Sequence, residues 1–262
     1  MFTNKQYLKF VENCKKKSLD IVVASVSDTL GSTYTKTGNM MFINSNGEFI
    51  GVLGGSFLHN QILVLSQKAI KNQNIENFEL LPLDDNSGHG TSKYIIEPFY
   101  FVNNYKNLDK YIQKAFSLLI FGSGAHVSSL VKMANLMAWK TTVIDIKINQ
   151  EFVKEADELI ELKNTEDIET IDLSSYNASV ILSHNPKTDD IYLKALLDTP
   201  PKINYIGVMG NKKNMQRKKE KFALENEHRF FAPIGLDIGS YTSESIALSI
   251  CAQIEAKANG KI

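Results

Sequence analysis

The spacing of hydrophobic residues in the first 105 positions predicts a mixture of helices and hairpins. Residues 20–26, DIVVASV, predict a strand, and two apolar runs on either side of Ser45-Asn46-Gly47 predict a hairpin. Residues 57–71 predict a helix. A shorter helix is predicted before them, because the apolar side chains of Tyr7, Phe10, Val11 and Cys14 would lie on one face of it. Cys14 is therefore expected in the core. This mixture favours an α+β domain.

The pattern after residue 115 alternates apolar strands with amphipathic helices. The predicted strands are SLLIF, TTVIDI, ASVILS and NYIGVM, and the predicted helices cover 127–138, 188–197, 211–224 and 243–258. Such alternation predicts a parallel sheet covered by helices. The fold class is therefore α/β: an N-terminal α+β domain at 1–105, a polar linker at 106–115, and a Rossmann-like domain at 116–262.

A glycine turn follows the first strand of the second half. Its residues Gly122, Ser123, Gly124, Ala125 and His126 match the opening of a dinucleotide-binding motif, although Val127 stands where a third glycine is usual. The acidic residue that follows the next strand could accept hydrogen bonds from ribose hydroxyls. That residue is Asp145. The combination predicts a nucleotide or another phosphate-bearing ligand, and the alternative is a steric turn that binds nothing.

Other polar residues lie after the remaining strands, where ligands of open α/β sheets bind. They are His184, the helix start Gly210-Asn211-Lys212, and Asp237. His184 could instead cap its strand, and Asp237 could be a buried acid that accepts loop N–H groups. The basic residues 217–221 are expected to be mostly a solvated helix face.

Composition excludes several classes of function. Basic and acidic residues number 29 each, so no net charge favours nucleic acid or an anionic membrane. Only two cysteines are present, the first 17 residues do not resemble a signal peptide, and no apolar run reaches membrane-spanning length. We expect a cytoplasmic protein.

No motif of a hydrolase triad or a metalloprotease is present, and His184 is the best acid–base candidate for an oxidoreductase.

Three segments carry a resemblance to a known family. YIGVMGNKKNMQRKKEKF, APIGLDIGSYTSESIALSICAQIEA and LSHNPKTDD resemble the C-terminal half of the XdhC/CoxI family, and GVLGGS is similar to its N-terminal half. The family comprises accessory proteins of xanthine dehydrogenase and related molybdenum hydroxylases. The resemblance implies binding of molybdenum cofactor, a phosphorylated pyranopterin, with help from a cysteine desulfurase or sulfurase and delivery to an apo molybdenum hydroxylase.

The same resemblance implies cofactor contacts in the N-terminal half. These are Gly31, Ser32, Gly54, Gly55 and Ser56, and they could face the other glycine turn across a cleft. Two residues depart from the family, which commonly has cysteine at the positions of Ser56 and His89. Serine is neither a soft metal ligand nor a sulfur carrier, whereas His89 could ligate a metal or be an ordinary loop residue.

Three functions stay open at this point. The first is an accessory protein that binds cofactor without catalysis and is expected to be a homodimer. The second is an NAD(P)-dependent oxidoreductase. The third is a structural or regulatory dimer that has lost its ligand.

Overall fold

The computed structural model describes residues 5–82, 90–112, 114–183, 185–199 and 203–262. These residues form two compact units, at 1–114 and 115–262. No helix in the described ranges is both long and apolar enough to cross a membrane.

The first unit is built on an antiparallel sheet. Its strand order is β3-β2-β1-β5-β4, and each neighbouring pair runs antiparallel. The elements are α1 (Lys5–Lys16), β1 (Ile21–Leu30), β2 (Met40–Asn44), β3 (Phe49–Ile50), α2 (Ser56–Asn72), β4 (Glu76–Leu80) and β5 (Thr91–Phe99). The β2–β3 hairpin turns at Ser45–Gly47, where Gly47 has φ +82°, as the sequence predicts.

Opposite faces of this sheet bury two clusters of apolar side chains. Alternate residues of β1 explain the division, since Val22 and Ala24 join one cluster and Ile21 and Val23 join the other. The first cluster includes apolar residues of α2, and the second includes Cys14 of α1. The prediction that Cys14 is a core residue is confirmed.

The segment assigned to a linker, 106–115, begins as part of the first unit's packing. Leu108 is buried in the cluster that contains Cys14, and the Tyr111 hydroxyl donates to Glu97 at 2.9 Å. Tyr105, which directly precedes this segment, is also bonded to the first unit, because its hydroxyl donates to the Leu19 carbonyl at 2.7 Å.

The second unit is a six-stranded parallel sheet with the order β8-β7-β6-β9-β10-β11. Numbered within the unit, this is the order 3-2-1-4-5-6 of dinucleotide-binding sheets. Its elements are β6 (Ser117–Phe121), α3 (Ala125–Leu136), β7 (Lys140–Asp145), α4 (Gln150–Val153), β8 (Glu158–Glu161), β9 (Ala178–Ile181), α5 (Pro186–Asp198), β10 (Tyr205–Val208), α6 (Lys212–Phe222), β11 (Phe230–Phe231) and α7 (Ser243–Ala258). The predicted fold class, an α+β unit followed by a Rossmann-like unit, is confirmed.

Local signals predicted α7 well, whereas the edge strands were missed. The Thr242 hydroxyl caps α7 by accepting from the Ser245 N–H at 3.2 Å. By contrast, β8 is mostly exposed and β11 has two residues, so neither has the apolar run of a central strand.

Candidate functional site

The turn after β6 requires glycine for two separate reasons. Gly122 has φ +108°, and a Cβ built there would lie 2.9 Å from the Leu182 carbonyl oxygen. Its N–H donates to the Ile144 carbonyl at 2.9 Å, which fixes the turn between β7 and the segment after β9. The turn follows β6, which lies between β7 and β9 in the sheet. The strand order reverses at this point, and ligands of such sheets bind there.

Gly124 is the N-cap of α3 and has ordinary extended geometry, φ −72° and ψ 170°. No side chain caps this helix, and its first turn contains no acid. The first-turn N–H groups and the helix dipole can therefore act on a bound anion. Ala125 is exposed at the first position of the helix.

Ser123 connects the glycine turn to Asp145. Its hydroxyl donates to Asp145 Oδ2 at 2.7 Å and accepts from the Asn149 N–H at 3.1 Å. The other carboxylate oxygen, Oδ1, accepts from the Ile146 N–H at 2.8 Å. A carboxylate has about four acceptor positions, so Asp145 keeps capacity for two hydroxyl donors. Asp145 therefore lies beside the glycine turn, and its predicted contact with ribose hydroxyls stays a prediction.

His126 connects the same turn to the segment after β9. Its Nε2 donates to the Leu182 carbonyl at 3.0 Å, and its ring lies against Gly124, where an added Cβ would be 2.9 Å from Cε1. Val127, in the place of the usual third glycine, is fully buried and packs with Leu118 and Ile120. Its side chain therefore belongs to the packing between helix and sheet.

Three basic residues of α6 form an ion cluster with Asp190 of α5. Arg217 and Lys221 are exposed, as expected of a solvated helix face, whereas Lys218 is buried, which the sequence did not predict. Asp190 accepts two hydrogen bonds from Arg217, at 2.9 and 3.0 Å, one from Lys218 at 2.6 Å and one from Lys221 at 2.8 Å. Lys218 is only 1% exposed. Its ammonium also lies 3.7 Å from Asp189.

Burial alone would raise the pKa of Asp190, but hydrogen bonds from Arg217, Lys218 and Lys221 outweigh it and hold that pKa well below its usual range. The neighbouring Asp189 accepts from the Ser183 hydroxyl at 2.5 Å, which ties the segment after β9 to this cluster. The contacts of Asp190 join residues 27 to 31 positions apart, so no local sequence signal reveals them.

Tyr192 is a buried polar residue that sequence reasoning missed. Its ring stacks on Phe121 with centroids 4.4 Å apart, and its hydroxyl has no hydrogen-bond partner among the described residues. Burial, together with the charges of Asp145 and Asp189, raises its pKa to about 12. The hydroxyl is therefore neutral at physiological pH.

The remaining predicted residues of the second unit are not joined to the glycine turn by any hydrogen bond within the described ranges. Asn211 caps α6 by accepting from the Asn214 N–H at 2.9 Å, with Gly210 before it and Lys212 exposed at the helix start. Asp237 is exposed and accepts from the Gly239 N–H at 3.4 Å. The alternative of a buried acid at Asp237 is therefore wrong.

The first unit brings together most of the residues implied by the resemblance. Ser32, Gly54, Gly55 and Ser56 line one cavity of about 570 Å³. Gly31 adjoins it with φ +78°, a conformation that favours glycine.

Two predicted histidines, His89 and His184, lie outside the described residues. Within the described ranges, no group of three or more His, Cys, Asp or Glu side chains could hold a metal ion. Cys14 and Cys251 are both buried.

Comparisons with known proteins agree with this architecture. Residues 118–254 match the XdhC Rossmann domain, and residues 14–79 match the XdhC and CoxI family. The chain is 22% identical over 256 residues to the uncharacterized protein YqeB of Escherichia coli K12, covering 94% of this chain and 45% of that protein. It is 25% identical over 143 residues to a probable xanthine dehydrogenase subunit of Bacillus subtilis 168, covering 52% of this chain and 41% of that protein. The chain thus spans less than half the length of these curated relatives.

A solved structure shares the whole architecture. The crystal structure of a xanthine dehydrogenase from Bacillus halodurans superposes with a TM-score of 0.80 at 21% identity, covering 97% of this chain and 96% of that one. At this identity the match establishes the fold. Because the XdhC Rossmann model alone covers more than half of the residues, the chain belongs to the XdhC and CoxI family.

Proposed function

We propose that this chain is an accessory protein that binds molybdenum cofactor, or a related nucleotide-bearing cofactor, and passes it to a molybdenum hydroxylase of the xanthine dehydrogenase type. The observation that carries the proposal is the glycine turn at the reversal of the 3-2-1-4-5-6 sheet, in a member of this family. The name of the Bacillus subtilis relative supports the choice of client.

The turn suits the phosphate-bearing part of such a cofactor. At Gly122 the backbone approaches Leu182 so closely that a Cβ would contact its carbonyl, and at Gly124 α3 begins without a side-chain cap. Gly122, whose N–H is bonded to Ile144, would form the turn, and Ser123, Gly124, Ala125 and His126 would surround the phosphate at the start of α3, where free backbone N–H groups and the helix dipole favour an anion. Asp145 would accept from ribose hydroxyls where the cofactor carries a nucleotide.

The two thiols do not suit a sulfur-transfer role. Burial raises the pKa of Cys14, and burial raises the pKa of Cys251 to about 12, so both are neutral at physiological pH. Ser56 is an exposed hydroxyl at the start of α2. The chain would thus hold the cofactor through its organic part, while a partner cysteine desulfurase or sulfurase supplies sulfur. The bound cofactor supplies redox-active molybdenum to the hydroxylase, and the residues here only bind, orient and release it.

The test is a titration of the purified full chain under anaerobic, reducing conditions. Isolated molybdenum cofactor should raise the unfolding temperature of the wild type but not that of Gly124→Val, because a side chain at 124 displaces the His126 ring and crowds the backbone. The loaded wild type should activate an apo molybdenum hydroxylase.

Two results would overturn the proposal. One is stabilisation by NAD(H) alone together with hydride transfer to a small carbonyl compound, which would identify an oxidoreductase. The other is no stabilisation by molybdenum cofactor, NAD(H), NADP(H) or free nucleotides, which would favour a ligand-free structural or regulatory protein.

A further inference from the structure

The second unit carries a groove that shares no residue with the glycine turn or with the cavity of the first unit. It encloses about 650 Å³ between α5 and two short 3₁₀ helices that follow β8, Thr165–Thr170 and Leu173–Ser175. Both walls pack on one buried cluster of apolar side chains, so the groove is a fixed feature of this unit.

The bottom of the groove is apolar. Ile168 and Leu173 are buried beneath it, whereas Ile171, Ile191 and Ala195 pack on the same cluster and stay partly exposed. Covering such surface with a second molecule removes it from water, which is favourable. The groove therefore favours an occupant with apolar side chains.

The rim of the groove is acidic. Glu166, Glu169 and Asp172 line it and are exposed. The lysine on the opposite wall does not balance them, because Lys194 Nζ lies 2.7 Å from Asp198 Oδ2. That hydrogen bond, with a smaller effect from the charge of Glu169, raises the pKa of Lys194. Four acids and one lysine line the groove, which leaves three net negative charges.

The wall that carries the rim acids belongs to an acidic stretch of the chain. Residues 155–172 contain eight acids and one lysine, which gives seven net negative charges in a chain whose total is zero. Such a surface repels phosphate groups, so it disfavours nucleic acid, nucleotides and anionic membranes. It attracts a basic protein segment and speeds its association.

The length of the groove sets the size of its occupant. The α5 residues that line it have the i, i+3, i+4, i+7 spacing of one helix face: Ile191, Lys194, Ala195 and Asp198. At a rise of about 1.5 Å per residue this stripe is about 10 Å long, the length of two helical turns. Apolar grooves of this kind bind amphipathic helices through apolar side chains spaced one turn apart.

We infer that this acidic groove is a docking site for a basic amphipathic helix of a partner protein. Two apolar side chains of that helix, one turn apart, cover Ile171, Ile191 and Ala195. Flanking Lys or Arg side chains lie against the acids of the rim. The inference goes beyond the proposed function and does not rest on it, since the groove and the glycine turn are formed by different residues.

The test is a titration of the full-length protein with a fluorescein-labelled helical peptide of alanine and lysine that carries two leucines one turn apart. Fluorescence anisotropy should show saturable binding that weakens as the salt concentration rises. In one control peptide serine replaces both leucines, and in the other glutamate replaces every lysine. Loss of the leucines should weaken binding by more than about 10-fold, because their burial is lost, and the glutamate peptide should not bind.

A matched pair of triple variants tests the location. The groove variant neutralises the rim with little change in side-chain size: Glu166→Gln, Glu169→Gln and Asp172→Asn. Asparagine at position 172 can still accept from the Ser174 N–H and cap the second 3₁₀ helix, so this variant should fold. The control variant changes the net charge equally at exposed acids of the first unit: Glu12→Gln, Glu79→Gln and Asp109→Asn. The groove variant should weaken binding of the basic leucine peptide about 10-fold, and the control variant by less than about twofold.

Three results would overturn the inference: no saturable binding of the basic leucine peptide, equal binding of its serine counterpart, or equal weakening by the two triple variants. A concentration-dependent dimer of the wild-type chain that only the groove variant abolishes would also overturn it, because the occupant would then be a second copy of this chain.

Discussion

Alanine substitutions at the two glycines of the turn should affect different properties: protein stability at Gly122 and ligand binding at Gly124. At Gly122, φ +108° is unfavourable for alanine by about 1–2 kcal/mol. The new Cβ would also lie 2.9 Å from the Leu182 carbonyl oxygen and 3.1 Å from Ser183 Cα, and such overpacking costs about 1–3 kcal/mol. Gly122→Ala should therefore destabilise the second unit by about 2–5 kcal/mol.

Gly124→Ala should leave the fold nearly unchanged. Its backbone angles suit alanine, and the nearest atoms to a new Cβ belong to the end of the His126 side chain, which has to shift by only a few tenths of an ångström. The expected loss of stability is below about 1 kcal/mol, the usual effect of losing a glycine N-cap. Affinity for molybdenum cofactor should nevertheless fall, because the methyl group and the displaced ring crowd the proposed phosphate position.

The assay is urea unfolding of the full chain followed by tryptophan fluorescence. The chain has one tryptophan, Trp139, which is buried in the second unit beside Phe116, so its emission reports that unit alone. An unfolding free energy of Gly122→Ala within about 0.5 kcal/mol of the wild type would refute the steric reasoning, since it would mean that Leu182 moves away without cost. Equal destabilisation by Gly122→Ala and Gly124→Ala would contradict the distinction between them.

Three further predictions concern the carboxylates of the second unit. Asp190→Asn should destabilise the unit by about 3–5 kcal/mol in the same assay, because the buried Lys218 ammonium is then left with only Asp189, at 3.7 Å. Its control is Lys194→Ala, which removes an exposed ion pair and should change the unfolding free energy little. The folded-state pKa of Asp190 is lowered, so its contribution should be present above the ordinary Asp pKa of about 3.9 and lost as pH falls below it; acid titration of the unfolding midpoint should show less of this loss in Asp190→Asn. Asp145→Asn should weaken binding of a nucleotide with free ribose hydroxyls about 10-fold in calorimetry, and an unchanged affinity would contradict the assigned contact.

Sequence reasoning was accurate where the decisive interactions are local. The Thr242 cap, the hairpin turn at Gly47 and the burial of Cys14 each follow from residues within a few positions of one another. Asp145, at the end of β7, contacts a residue farther away in the sequence. It accepts from Ser123, which follows the neighbouring strand β6, and the spacing of paired strands is regular. For these features, residue type and period are sufficient.

Reasoning from the sequence failed where partners are distant or the signal is weak. The basic residues of α6 match a solvated face, and only the packing of α6 beside α5 places Lys218 on a buried Asp190. The edge strand β8 pairs with β7 although its own residues are mostly exposed. Neither outcome can be read from a window of residues, because each depends on which elements become neighbours.

The fold class, the order of most elements and the position of the glycine turn thus follow from the amino-acid sequence, because periodicity, caps and turn residues are short-range properties. Which groups meet is known only from the folded chain: His126 with Leu182, Asp190 with three cations, and Ser92 and Tyr94 with the start of α2 around one cavity. Burial and hydrogen bonding between remote residues depend on chain topology, and topology fixes distances that sequence spacing does not contain.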